Sequence, residues 1–108
     1  MDDPVQVYER KDDLQIVDVR EPYEWEAGHI DGSIHIPLAE IMAGREQGRL
    51  SADRPVVLVC RSGNRSELAT LMLQARGFDA HNLEGGVEKW VAANLPLNAS
   101  DGTEGRVA

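Results

Sequence analysis

The sequence has one cysteine, Cys60, among 108 residues. That excludes an internal disulfide, a Cys-x-x-Cys redox pair and a thiolate zinc cage. Long apolar runs are lacking too. The longest, Pro55-Val56-Val57-Leu58-Val59-Cys60, falls far short of the roughly 20 residues that span a bilayer. The opening Met1-Asp2-Asp3-Pro4 has neither the basic patch nor the apolar stretch of a secretory leader, so a soluble, cytoplasmic protein is expected. Basic residues are scarce: 11 Lys and Arg stand against 19 Asp and Glu, a net charge of -8. A duplex carries one negative charge per about 1.7 Å, so nucleic acid is a poor partner for such a surface, and anionic membranes are disfavoured for the same reason. What remains is a globular balance, 42% hydrophobic and 28% charged, in a length that suits one domain.

Short apolar runs alternate with amphipathic stretches along the chain. Leu14 to Val19 reads as a strand. Glu21 and Pro22 then open a short helix, with Gly28 where a left-handed stop would fall. Ser33 to Ile36 is a brief strand closed by Pro37, and Leu38 to Met42 a turn or two of helix. Val56 to Val59 is β-branched and lacks polar alternation, as expected of a central parallel strand covered on both faces. Ser66 to Arg76 reads as a helix whose buried stripe is Leu68, Leu71, Met72 and Ala75, with Gly77 as its C-terminal cap. Ala80 to Leu83 is a further strand. Val87, Trp90 and Val91 form the stripe of a last helix after Gly85-Gly86. Strand and helix in turn predict an α/β fold with a parallel sheet. Residues 1–98 form the expected domain, and the polar, aperiodic residues 99–108 a frayed tail.

The stretch that carries chemistry is Cys60-Arg61-Ser62-Gly63-Asn64-Arg65-Ser66, between the most apolar strand and the best amphipathic helix. In open α/β sheets ligands bind at the carboxyl ends of strands, and the following helix N-terminus favours anions. A thiol placed there faces backbone N–H groups and the positive end of a helix dipole, and Arg61 and Arg65 add two charges; all three favour thiolate over thiol. Gly63 can adopt the positive φ that bends a short loop into a cradle of N–H donors, and with Asn64 it lets the chain curl around one sulfur atom. Ser66 could donate its hydroxyl from the first helical turn.

These residues resemble the active-site loop of rhodanese-like sulfurtransferases, a six-residue loop led by Cys60 and ending at Arg65. Two further segments match. Ile16-Val17-Asp18-Val19-Arg20-Glu21-Pro22-x-Glu24-Trp25-x-x-Gly28-His29-Ile30-x-Gly32-Ser33-Ile34 resembles the family's first signature. Gly77-Phe78 followed by Leu83-x-Gly85-Gly86-Val87-x-x-Trp90 resembles its closing one. The resemblance spans about residues 14–95 and implies a three-layer α/β/α rhodanese-like domain with a mostly parallel sheet. It implies a sulfurtransferase that moves a sulfane sulfur from a small anionic donor such as thiosulfate, through a Cys60 persulfide, to a thiophilic acceptor: cyanide, a thiol or a sulfur-carrier protein. No metal or organic cofactor is implied. Arg61 and Arg65 would attract the donor, with Ser62, Gly63, Asn64 and Ser66 completing the loop. The chain departs from the family's pattern ahead of the first signature. Val5 to Arg10 is a poor match to the usual strand and helix, so a missing or reduced edge strand is expected, as in a trimmed chain or a piece of a longer one.

Plainer roles stand beside these. A lone Cys is ordinarily a small buried hydrophobe, and Arg61 could be a solvated charge and Arg65 an ion-pair partner. Asp18 and Arg20 are expected to support the loop through an ion pair. His29, His35 and His81 lack partners at metal-ligand spacing, His29 reading as a hydrogen-bonded core residue. Gly85-Gly86 reads as a turn, and Trp25 and Trp90 as core aromatics. Two rival functions remain. A cysteine phosphatase or arsenate reductase places five residues between Cys and Arg, where this chain has four. A regulatory or docking module would use the fold without the chemistry.

Overall fold

The computed structural model describes residues 3–108; Met1 and Asp2, the first residues of the expected domain, lie outside that span. Strands β1 (Gln15–Asp18) and β3 (Val56–Val59) pair at the centre, and every residue of both is buried. Their apolar, β-branched character suits strands covered on both faces. Strand β2 (Ile34–His35) pairs with β1, and β4 (Ala80–Asn82) with β3. The result is a wholly parallel four-stranded sheet in the order β2-β1-β3-β4. The helices are α1 (Pro4–Glu9), α2 (Pro22–Ala27), α3 (Leu38–Met42), α4 (Asn64–Ala75) and α5 (Gly86–Ala92), with a 3-10 turn at Lys11–Asp13.

Side chains alternate across a strand, and that parity divides the core in two. Ile16, Val57 and Val59 share one face with Val7, Val87, Trp90 and Leu97. Val17, Val56 and Leu58 share the other with Ile41, Ala69 and Leu73. Helices α1 and α5 cover the first face and α3 and α4 the second, which is the expected α/β/α layering. Cys60 continues the parity of Val56 and Leu58, so its side chain belongs to the half under α4. Strand parity alone thus brings the thiol beneath a helix N-terminus.

Helix α4 is rotated from the face that its leucines suggest. Its buried residues are Ser66, Ala69, Thr70 and Leu73, while Leu68 and Leu71 are 45% and 59% exposed. Hydrophobicity alone selects the leucines, but the helix N-terminus is held over Cys60 by Ser66, and positions three, four and seven residues on then face the sheet. Small Ala69 and Thr70 permit that approach, Thr70 turning its hydroxyl onto the Ser66 carbonyl at 2.7 Å. Val91, counted in the α5 stripe, is likewise 42% exposed, whereas Val87 and Trp90 are buried.

Two glycines behave differently. Gly77 has the positive φ, 94°, of the expected cap. Gly28 has φ 174°, ordinary extended backbone, and is required instead because a Cβ there would lie 2.6 Å from the Arg106 backbone nitrogen. The segment expected to fray is therefore laid over the domain. Asn98 and His29 exchange backbone hydrogen bonds at 2.9 Å each way, Gly105 N–H donates to Leu97 and Arg106 N–H to Ala27, and Val107 packs on the first half of the core. Contacts made through backbone leave no hydrophobic period to read. At the other end, Val5 to Glu9 is helical, begun by the Asp3 carboxylate accepting from Val5 N–H at 2.8 Å and by Pro4 in the first turn. Among the described residues no strand precedes β1. No helix of the described residues is long and apolar enough to cross a membrane.

Candidate active site

Cys60 follows the last residue of β3 and is 1% exposed. Its sulfur is held by the chain immediately after it. Gly63 N–H donates to Sγ at 3.0 Å, and the Ser66 hydroxyl lies 3.2 Å away. Gly63 caps α4 with φ 103°, a conformation that L side chains rarely adopt, and this bends residues 60–63 back so that the N–H faces the sulfur. Asn82, at the end of β4, fixes the bend: its Nδ2 donates to the Gly63 carbonyl at 3.0 Å and its Oδ1 accepts from Ser66. The single Ser66 proton can go to Asn82 or to the sulfur.

The rear of the loop is held by α5. Val87 N–H donates to the Cys60 carbonyl at 2.9 Å and Glu88 N–H to that of Arg61 at 3.0 Å. These donors have no partner within their own helix, so the loop satisfies the helix start while the helix aligns the loop. Gly86 makes the approach possible, since a Cβ there would run into both carbonyl oxygens, and its φ is 60°. The Gly85-Gly86 turn is thus part of the site's support.

The two loop arginines are both paired with carboxylates. Arg65 places its terminal nitrogens 2.7 and 2.9 Å from the two oxygens of Glu24, whose side chain is 4% exposed. Glu24 Oε1 also accepts from Glu21 N–H at 3.0 Å, closing the first turn of α2. The Arg65 hydrogen bonds hold the Glu24 carboxyl below its ordinary pKa against the opposing effect of burial, and the same pairing raises Arg65 further above its own. Arg61 lies 3.4 Å from Glu88 with both side chains about half exposed. Ser62 and Asn64 are exposed at the rim of the loop.

Asp18 ends β1 directly beside Val59, one residue before the cysteine. It forms a buried, two-pronged ion pair with Arg20, at 2.9 Å from Nε and 2.8 Å from Nη2, and Arg20 Nη2 also donates to the Gly28 carbonyl at 2.6 Å. The pair braces the β1–α2 connection that carries Glu24; its side-chain partners among the described residues do not include residues 60–66. His29 and His35 both stack on Trp25 with centroids 3.6 and 4.8 Å away, and each ring bonds a backbone carbonyl. Among the described residues no group of three or more His, Cys, Asp or Glu could hold a metal ion.

The site therefore joins Cys60, Gly63, Arg65 and Ser66 with Glu24 and Asn82, to which sequence reasoning gave no role, and with Gly86, which it read only as part of a turn. Glu24 lay within a quoted signature, but its partner is 41 positions away. Asn82 had one available signal, a polar residue at the carboxyl end of the strand next to β3.

A model of the rhodanese-like domain matches residues 3–93. The chain is 36% identical over 97 residues to the thiosulfate sulfurtransferase GlpE of Pseudomonas aeruginosa, covering 86% of this chain and 83% of that protein. It is 40% identical over 84 residues to the probable adenylyltransferase/sulfurtransferase MoeZ of Mycobacterium tuberculosis, covering 77% of this chain but spanning only 21% of MoeZ. A crystal structure of a rhodanese-related protein from Thermoplasma volcanium superposes with a TM-score of 0.79 at 33% identity, over 88% of this chain and 93% of that one. Fold, length and sequence agree: the chain belongs to the family of rhodanese-like domains, whose members similar to it include named sulfurtransferases.

Proposed function

We propose that this protein is a sulfurtransferase that carries a sulfane sulfur as a persulfide on Cys60. The observation that carries the reading is the convergence of two donors, Gly63 N–H and Ser66 Oγ, on one sulfur at the carboxyl end of the central strand. Donors aimed at a thiol sulfur stabilise its thiolate and, after transfer, would stabilise the anionic terminal sulfur as an oxyanion hole stabilises oxygen.

In the first step the Cys60 thiolate attacks the outer sulfur of a donor. A Cys60 S–S bond forms, the donor's bond to that sulfur breaks, and the electron pair leaves with the remainder, sulfite in the case of thiosulfate. In the second step a thiophilic acceptor attacks the terminal sulfur and restores the thiolate. The covalent intermediate divides the transfer in two and gives ping-pong kinetics. A thiol or a sulfur-carrier protein is the proposed acceptor. A relative at 37% identity, covering 71% of this chain, is named putative sulfur carrier protein YrkF of Bacillus subtilis. Because the cycle needs a reduced thiol, the cytoplasm is its proposed setting.

Cys60→Ser tests the reading. It exchanges one atom and keeps a group that can bond Gly63 N–H, so thermal unfolding is expected to stay near wild type while thiocyanate formation from donor and cyanide falls to background. Sustained turnover by the folded variant would place the nucleophile elsewhere.

A further inference from the structure

Sequence alone makes the loop cationic and therefore attractive to a dianion such as thiosulfate. The structure cancels that charge. Arg65 spends both terminal nitrogens on Glu24, and Arg61 sits beside Glu88. Glu24 is not a mobile surface acid free to yield its partner. Its side chain is 4% exposed, and the same carboxylate accepts from Glu21 N–H in the first turn of α2. The first turns of α4 and α5, which flank the loop, add Glu67 and Glu88. The groups bonded directly to the sulfur, an amide and a hydroxyl, are uncharged. An incoming dianion thus meets a loop whose two arginines are already paired with carboxylates, on a chain of net charge -8.

We infer that Glu24, by occupying Arg65, is a specificity-determining residue that turns the site away from dianionic donors and toward persulfides of uncharged thiols. The inference rests on the Cys60 persulfide reading. The favoured step is balanced without further reagents: the Cys60 thiolate and R–S–SH give Cys60–S–SH and R–S⁻, the outer S–S bond breaking as the new one forms. The donor reacts as its protonated form R–S–SH, so it adds no second negative charge to the loop in that step, and the leaving group is an ordinary thiolate.

The test loads the full chain with sulfur in single turnovers, following the mass gain on Cys60. Two donors are compared, thiosulfate and the persulfide of 2-mercaptoethanol. Glu24→Gln retains Oε1 for the Glu21 N–H while removing the charge. Removing one unit charge about 6 Å from a dianion is worth about tenfold in rate even at the dielectric of water. The ratio of thiosulfate to persulfide loading rates is therefore expected to rise about tenfold or more in this variant. On the unaltered protein, raising ionic strength from about 0.01 M to about 1 M shortens the Debye length from about 30 Å to about 3 Å. Thiosulfate loading should then accelerate, as screened repulsion requires, with the persulfide, which carries at most one negative charge, changing less. An unchanged ratio in a folded Glu24→Gln protein overturns the inference, as does thiosulfate loading that slows with salt; both leave Cys60 loading itself intact. Failure of both donors to load Cys60 instead overturns the persulfide reading, and the inference with it.

Discussion

Replacing Gly86 by alanine puts a methyl group where the carbonyl oxygens of Cys60 and Arg61 now sit, at a φ of 60°. Holding an L residue in the left-handed region costs roughly 1–2 kcal/mol. The clash is with backbone on both sides, so the loop has to move away from α5. That weakens the Val87 to Cys60 and Glu88 to Arg61 hydrogen bonds, each worth roughly 0.5–1.5 kcal/mol net. The sum is about 2–5 kcal/mol, a large share of the roughly 5–15 kcal/mol that stabilises a typical domain. With a urea slope of roughly 1–3 kcal/mol/M, the denaturation midpoint should fall by about 0.7 M at the least and by several molar at the most. The loop displacement should appear separately, as slower sulfur loading of Cys60 in buffer where the variant is still folded. A midpoint within the error of wild type, with unaltered loading, would refute the claim that α5 supports the loop from behind.

Three further outcomes are expected. Leu73→Ala should cost about 2–5 kcal/mol in urea unfolding, as deletions of fully buried leucine do, whereas Leu71→Ser at the exposed position should stay within about 0.5 kcal/mol. The reverse order would restore the leucine face of α4. The folded-state pKa of Glu24 lies below its ordinary value of 4.5, so the Glu24–Arg65 pair stabilises the fold above that pH and the contribution is lost as pH falls through the lowered value. Glu24→Gln should accordingly flatten the acid limb of the stability curve; an identical limb would mean that the ion pair contributes nothing. Inserting a glycine between Gly63 and Asn64 should slow sulfur transfer by moving the Gly63 N–H and Ser66 apart around the sulfur, and unchanged turnover would show that loop length is immaterial.

The parallel sheet was legible because Val56 to Val59 has the apolar, β-branched residues of a doubly covered strand, because Leu14 to Val19 reads as a second strand, and because proline and glycine punctuate the chain between them. The loop was legible because Cys60, the turn glycine Gly63 and Ser66 lie within seven consecutive residues. What escaped depends on long-range approach. The phase of α4 follows from Ser66 seating on Cys60, a polar contact that hydrophobic spacing does not score. Gly28 reads as a helix stop and Gly105 as part of a polar tail until the last segment of backbone crosses the α2 C-terminus, where a Cβ at Gly105 would sit 2.8 Å from the Gly28 Cα. The pairing of Arg65 with Glu24 reverses the electrostatic reading of the loop, yet no local pattern joins two residues 41 positions apart.

The most direct test of the central claim is the intact mass of the full chain before and after exposure to thiosulfate and to a small persulfide, followed by a cyanide chase. The account predicts a gain of one sulfur atom, located on Cys60 and removed by cyanide with thiocyanate released. A folded protein whose Cys60 thiol can be titrated, yet which gains no sulfur from either donor, would contradict it.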